Sequence, residues 1–375
     1  MNIKKLLLSF VSLLLVVTLS SCKLEQKPAT SKLTIEHETK FTGIYLHMTI
    51  DEFNELGFKY GDSVDVELSN GLKYEDVPYY SGYYTNKGGL LLVAYPGYPY
   101  IKLCENNGDD IYIRDNMSDD LTAVVSLHES AKYSIVQDSL SLRHSNNRDD
   151  YTSDEEFANF RVLSGGNIKN NYFYRGASPC DNQYNRAEYA SKLCEAYDIK
   201  YTIDLADDYD EALSYYDDSS LDCSYWKGLF ENDRVLPLSM SSNYSDEEYK
   251  ENVVKLLNFI VTSEGPYYIH CTEGKDRTGF VCLLIETLAG CSKDEIIKDY
   301  MTTYLNYYDI SEEETKEKYD TIVNLYLSDM FKYLCNEPIV ENVTDEMLFN
   351  GVVKYLNDVN VSDDEINNII SIITE

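Results

Sequence analysis

The residues best suited to do chemistry lie in one run, Tyr267-Tyr268-Ile269-His270-Cys271-Thr272-Glu273-Gly274-Lys275-Asp276-Arg277-Thr278-Gly279-Phe280-Val281. Cys271 opens it as a candidate nucleophile. Arg277 follows six positions later, near enough for its guanidinium to curl back and grip two phosphate oxygens in a bidentate pair. Gly265-Pro266 is a turn signal, Tyr267 to His270 is a short β-rich apolar run, and Gly279 to Leu288 is apolar enough for a buried helix. The loop therefore joins a strand end to a helix start. There the amides of Thr272, Glu273, Gly274 and Lys275 can form a nest, and the helix N-terminus adds the positive end of its dipole. Such a cradle suits a dianionic phosphate. The same field favours a thiolate at neutral pH, where a free cysteine with a pKa of about 8.5 is mostly protonated. In-line attack on phosphorus would give a cysteinyl-phosphate, which water would then cleave.

The neighbouring side chains have expected roles. His270 should fix the loop through hydrogen bonds instead of acting as a base. Thr278, beside Gly279, offers a hydroxyl that can reach the sulfur and stabilise it as a leaving group. Lys275 adds positive charge beside the bound phosphate, which favours substrates carrying more than one phosphate. Asp276 is close enough to donate or accept a proton. A cysteine and an arginine at this spacing are a weak signal alone, since a buried cysteine and a helix-capping arginine would give the same pattern. The whole string in a strand, loop and helix context is strong.

That string resembles the loop of the protein tyrosine phosphatase superfamily. It is particularly similar to the bacterial tyrosine phosphatases with dual lipid and protein activity, whose loop reads His-Cys-x-x-Gly-Lys-Asp-Arg-Thr-Gly, and every fixed position of that pattern is present. The resemblance implies an α/β cysteine-phosphatase fold, a central mostly parallel sheet flanked by helices, and phosphate monoester hydrolysis without metal or cofactor. Asn159-Phe160-Arg161 and Phe173-Tyr174-Arg175 with Ser178 resemble segments of the same family in which an arginine–serine pair lies beneath the active site, so Arg175 is expected to support the loop. Leu288 to Ser292 and on to Asp299-Tyr300 resembles its helical end, so the resemblance covers roughly residues 141–335. The chain departs from the pattern once. Val235-Leu236-Pro237-Leu238 is followed by Ser239, where the lipid-active relatives have an aspartate. Serine cannot protonate a leaving oxygen, so Asp276 is expected to do so, with Asp207 and Asp246 as lesser candidates. Alternatively the leaving group needs little help, as a phenolate does compared with an alkoxide.

Composition bounds the rest. The 375 residues carry 32 Lys plus Arg against 65 Asp plus Glu, a net charge of −33, which excludes a nucleic-acid partner because nothing basic would neutralise a phosphate backbone. Lys4 and Lys5, the apolar run Leu6 to Leu19 and the exit Leu19-Ser20-Ser21-Cys22 describe an export signal over residues 1–21. The exit resembles a bacterial lipoprotein box. It implies acylation of Cys22, a membrane partner through that lipid anchor and an extracytoplasmic, cell-surface location; a plain N-terminal anchor is the alternative. Residues 22–38 read as a polar tether. Residues 39–137 carry short strand signals, among them Ser63 to Leu68, Leu90 to Ala94, Ile111 to Ile113 and Thr122 to Leu127, and predict a small β-rich barrel or sandwich. His47 and His128 there are isolated and read as structural. The catalytic domain is expected over residues 138–336, with Ser245 to Glu248, Ser292 to Glu295 and Ser311 to Glu314 capping three of its helices. A helical extension follows over residues 337–375, its stripe of Ile366, Ile369, Ile370 and Ile373 packing on that domain. Nine cysteines show no Cys-x-x-Cys zinc spacing, and Cys282 and Cys291 lie in apolar contexts as small core residues.

The expected activity is cysteine-dependent hydrolysis of phosphotyrosine in a protein, of a phosphoinositide, or of a soluble inositol phosphate. A catalytically weak surface lipoprotein that binds phosphorylated ligands is the alternative, because of Ser239. Sulfur transfer or arsenate reduction would not call for the arginine, threonine and lysine together.

Overall fold

The computed structural model describes residues 27–241 and 243–375. The export signal and the acylation expected at Cys22 fall outside the described residues. The chain divides into two compact units. One takes the residues up to Tyr83 with Leu90–Glu105 and Asp109–Tyr133; the other takes Tyr84–Gly89, Asn106–Gly108 and Ser134–Glu375.

The first unit is a closed barrel of seven strands: β1 (Leu33–His37), β2 (Ile44–Leu46), β3 (Ser63–Leu68), β4 (Lys73–Tyr80), β5 (Leu90–Val93), β6 (Ile101–Glu105) and β7 (Thr122–Glu129), in the order β1-β2-β6-β5-β4-β3-β7. All pairs are antiparallel except β4 with β5. Alternation decides the inner face: in β3, Val64, Val66 and Leu68 are buried while Asp65 and Glu67 face outward. Closure leaves no sheet edge unpaired. Two expectations are corrected here. The tether ends earlier than residue 38, because Leu33 and Ile35 point inward and Thr34 and Glu36 outward, a strand period that pairs with β2 and β7. Ile111 to Ile113 is the start of a helix, Ile111–Arg114, because the Asp110 side chain caps it by accepting from the Tyr112 amide at 3.0 Å. His47 and His128 pair with Glu36 and Asp65, each at 2.9 Å, in structural contacts.

The second unit is built on a five-stranded sheet: β8 (Arg161–Val162), β9 (Phe173–Gly176), β10 (Tyr201–Asp204), β11 (Val235–Pro237) and β12 (Tyr267–His270), in the order β11-β10-β12-β9-β8. β9 to β12 are parallel and β8 is antiparallel to β9, in line with the expected mostly parallel sheet. Every residue of β12 is buried, as a central parallel strand requires. The register aligns His270 with Gly176 on one side and with Asp204 on the other, and Asp204 with Pro237. Four strand ends are thus level, and the segments that leave them share the crevice where ligands bind in open α/β sheets.

Helix Asp276–Leu288 follows β12 and is buried on every side from Thr278 to Leu288. Of the expected caps, Ser292 with Glu295 forms a reciprocal box. The other two do not. The first helix starts at Glu247 with Asp246 at its N-cap and no side-chain cap bond, because the Asp246 carboxylate accepts from Asn243 Nδ2 and Ser241 Oγ instead. Ser311 accepts from the Glu314 amide only within a turn, and the helix begins at Lys316. The stripe of the C-terminal residues packs on this unit as expected. Ile366, Ile369 and Ile373 join the main core of the unit, and the Lys169 amide donates to the Ile373 carbonyl at 2.9 Å. An amphipathic stripe this apolar needs a surface to cover, and this unit supplies it.

Candidate active site

Cys271 leaves the end of β12 with only 4% of its surface exposed. The loop after it is oriented by its carbonyls. The Thr272 carbonyl accepts from the Ser178 amide at 3.3 Å. The Glu273 carbonyl accepts from Tyr307 Oη at 2.9 Å and from Asn159 Nδ2 at 3.3 Å. The Gly274 carbonyl accepts from Arg175 Nη2 at 2.9 Å and Asn159 Nδ2 at 3.3 Å. With the carbonyls drawn outward, the amides are left to face the opposite way. Among the described residues, the amides from Thr272 to Arg277 donate no hydrogen bond within the loop's surroundings. A row of free amides on one side of a tight loop is an anion nest, completed by the N-terminus of helix Asp276–Leu288. Gly274 makes this bend possible. Its φ is +69°, and a Cβ there would sit 2.1 Å from the Gly176 carbonyl oxygen.

Arg277 curls back as its spacing predicts. Its Nη2 donates to Thr272 Oγ1 at 3.3 Å and its Nη1 to the Met240 carbonyl at 3.3 Å, with the Leu205 and Ala206 carbonyls at 3.5 Å. The guanidinium is thereby held across the ends of β10 and β11. Arg175 has the supporting position expected of it. It is 1% exposed and joins the Gly274 carbonyl to Asp299, whose other oxygen accepts from Arg161 Nε at 2.7 Å. Burial works against the charge of Asp299, but the two guanidiniums outweigh it and hold its carboxyl below the ordinary range.

His270 departs from expectation. It is wholly buried, neither ring nitrogen has a hydrogen-bond partner among the described residues, and its ring stacks on Tyr268 at 5.6 Å. Burial drives its pKa down to about 3, so the ring is neutral, and it does not make the hydrogen bonds expected to fix the loop. Thr278 is also buried, and its hydroxyl has no partner among the described residues, so the bond to the Cys271 sulfur expected of it is not made. Gly279 lies against the Tyr300 ring, where a Cβ would approach to 2.7 Å.

Lys275 lies between two carboxylates, 3.7 Å from Glu273 and 3.8 Å from Asp276, and the Asp276 charge pushes its pKa well above the ordinary lysine value. Glu273 is anchored in turn by His144 Nε2 at 2.6 Å; burial would raise its pKa, but the His144 hydrogen bond and Lys275 bring it below normal. Asp276 projects outward, 58% exposed. Asp246 is engaged in its own turn. Asp207 is drawn to Asp204: burial raises the pKa of both carboxyls, Asp204 to about 6 and Asp207 to about 8, and the Asp204 charge raises Asp207 further while the bond from Asp207 offsets part of the rise at Asp204. Asn159 and Asp299 lie in stretches marked only by their resemblance to the family, and His144 and Tyr307 carry no local sequence signal for their roles. They reach the loop only through the fold, His144 from 129 positions away.

The sequence profile of the tyrosine phosphatase family matches residues 155–375. No curated protein matches the chain. Solved structures similar to part of it include the core catalytic domain of the PP-IP phosphatase SIW14 from S. cerevisiae, at 20% identity over 48% of this chain and 91% of that one, with a TM-score of 0.28. P. aeruginosa TpbA is similar at 16% identity over 52% of this chain and 91% of that one, with a TM-score of 0.29. The family profile spans more than half of the residues and contains the whole cysteine loop, so the chain belongs to the tyrosine phosphatase family and is a phosphatase of that type.

Proposed function

We propose that the Cys271 thiolate attacks the phosphorus of a phosphate monoester in line with its leaving oxygen. A cysteinyl-phosphate forms, the alcohol or phenol departs, and water then releases inorganic phosphate and regenerates the sulfur. The inward amides of Thr272 to Arg277 and the Arg277 guanidinium hold the three non-bridging oxygens, where charge is greatest in the transition state. Asp276 supplies the proton to the leaving oxygen, since Ser239 cannot. Phosphotyrosine, a phosphoinositide or an inositol phosphate is the substrate. Lys275 favours those with a second phosphate, which would displace Glu273 or Asp276 from the ammonium. The enzyme works at the outer face of the cell envelope, tethered through Cys22.

The orientation of the loop carries this reading: its carbonyls at 272, 273 and 274 are all taken from outside, so its amides converge. The test is a panel of phosphotyrosine peptides, phosphoinositides and inositol phosphates assayed with EDTA present. Activity should survive the chelator and vanish in Cys271→Ser; a Cys271→Ser protein that hydrolyses aryl phosphates at the parent rate overturns the mechanism. Ser239 at the expected acid position favours one second reading, a phospho-ligand binder with slow turnover. Rapid-quench trapping separates the two, because a binder yields no phosphocysteine.

A further inference from the structure

Beside the phosphate loop, three donor atoms from separated segments converge in the interior. They are the Cys180 sulfur, from the segment after β9, and one carboxylate oxygen each from Asp204 and Asp207, at the end of β10 and just beyond it. All three lie within 4.8 Å of one another, and all three residues are buried. Unmet polar atoms concentrate at the same place. Asp204 Oδ2 and Asp207 Oδ2 have no hydrogen-bond partner among the described residues, and neither ring nitrogen of the fully buried His270 has one. His270 Nδ1 points at Asp204, 3.7 Å from its Oδ1. The Cys180 sulfur has Ser178 Oγ at 3.3 Å. Interiors seldom leave so many polar groups unpaired, because each costs roughly 1–3 kcal/mol when buried without a partner.

We propose that Cys180, Asp204 and Asp207 bind a divalent ion of the zinc class, with the imidazole of His270, 3.7 Å from Asp204, available as a fourth donor. A thiolate, carboxylates and an imidazole are the donor set a borderline ion prefers over magnesium or calcium. Bonds of about 2.3 Å to sulfur and about 2.0–2.2 Å to oxygen would draw the donors, now within 4.8 Å of one another, closer together. The site is separate from the phosphate loop but touches what holds it. Arg277 rests on the Leu205 and Ala206 carbonyls, the two residues between Asp204 and Asp207, and His270 immediately precedes Cys271. Tightening the 204–207 turn around an ion moves those carbonyls, so occupancy lowers phosphatase activity. The donors span positions 180 to 207 and 270 without a ligand-spacing motif, which is why only the fold brings them together.

The test uses the full chain carrying Cys271→Ser, which removes the reactive thiolate as a competing ligand and makes the outcome independent of the hydrolytic mechanism. Titration with zinc and with cobalt should show one tightly bound equivalent, a thiolate-to-cobalt absorption band, and a melting temperature that rises with zinc. Adding Cys180→Ala or Asp207→Asn should abolish the band and lower zinc affinity at least tenfold, with the metal-free melting curve showing that each variant is folded. A folded Cys180→Ala variant that keeps the equivalent and the band overturns the proposal, as does a folded Cys271→Ser protein that binds neither metal at micromolar concentration.

Discussion

The carboxylate of Asp299 is the point on which the loop's foundation is most exposed to a single substitution. It joins Arg161 Nε at 2.7 Å and Arg175 Nη1, and these guanidiniums lead to the loop by two routes. Arg175 donates directly to the Gly274 carbonyl, and Arg161 holds Asn159 Oδ1 at 2.7 Å so that Asn159 Nδ2 can serve the Glu273 and Gly274 carbonyls. Asp299→Asn keeps the shape and removes the charge. Arg175, 1% exposed, is then left without its carboxylate. Breaking one side of a buried pair costs about 3–5 kcal/mol. At about 2–4 °C per kcal/mol for a unit of this size, the melting temperature should fall by about 6–20 °C. Calorimetry on parent and variant measures this, and kcat on an aryl phosphate should fall with it as the amides lose their alignment. The pH dependence supplies a second signature. The folded Asp299 carboxyl titrates below its unfolded value, so the unfolded chain binds more protons in acid; this contribution is present above the ordinary carboxylate range and lost as pH falls through the depressed value. The Asn variant should lack that acid limb. Burial holds the nearby Glu286 well above the ordinary range, and it could ionise in compensation. The double variant with Glu286→Gln removes that escape. A double variant melting within about 2 °C of the parent, with the acid limb intact, refutes the argument.

Further outcomes follow from the loop and its surroundings. Gly274→Ala puts a Cβ onto the Gly176 carbonyl at a positive φ, which costs at least about 1–2 kcal/mol of backbone strain before the clash; hydrolysis should be lost, and an active variant would show that the bend is not needed. His144→Ala frees the Glu273 carboxylate beside the phosphate cradle and should raise KM for phosphate esters severalfold with a smaller change in kcat, measured by steady-state kinetics; an unchanged KM means that the 2.6 Å contact does not restrain Glu273. Ser239→Asp places a proton donor where the relatives have one, in a left-handed backbone (φ +45°) that aspartate tolerates. It should raise kcat on an alkyl phosphate by up to about a hundredfold and leave an aryl phosphate nearly unchanged; equal effects on both would show that the residue at 239 does not limit protonation of the leaving oxygen.

Local order was legible from residue types alone. A buried run ending in histidine and cysteine, turn-forming residues and then an apolar helix dictate the strand, loop and helix, because each depends on nearest neighbours and hydrophobic period. The Arg277 curl follows from its spacing, and the alternation of Val64, Val66 and Leu68 marks a strand with one inward face. The same reasoning failed at Leu33–His37, whose period was hidden among polar neighbours, and at Ile111, where one capping aspartate outweighed β-branched side chains. Long-range matters belong to the tertiary structure. Which residues pull the loop's carbonyls outward, how His144 reaches Glu273, and why Cys180, Asp204 and Asp207 meet all depend on strand order and register, which level the ends of β9, β10 and β12. Those contacts reach from Cys180 to Asp204 and from His144 across 129 positions to Glu273, farther than a local sequence window can read.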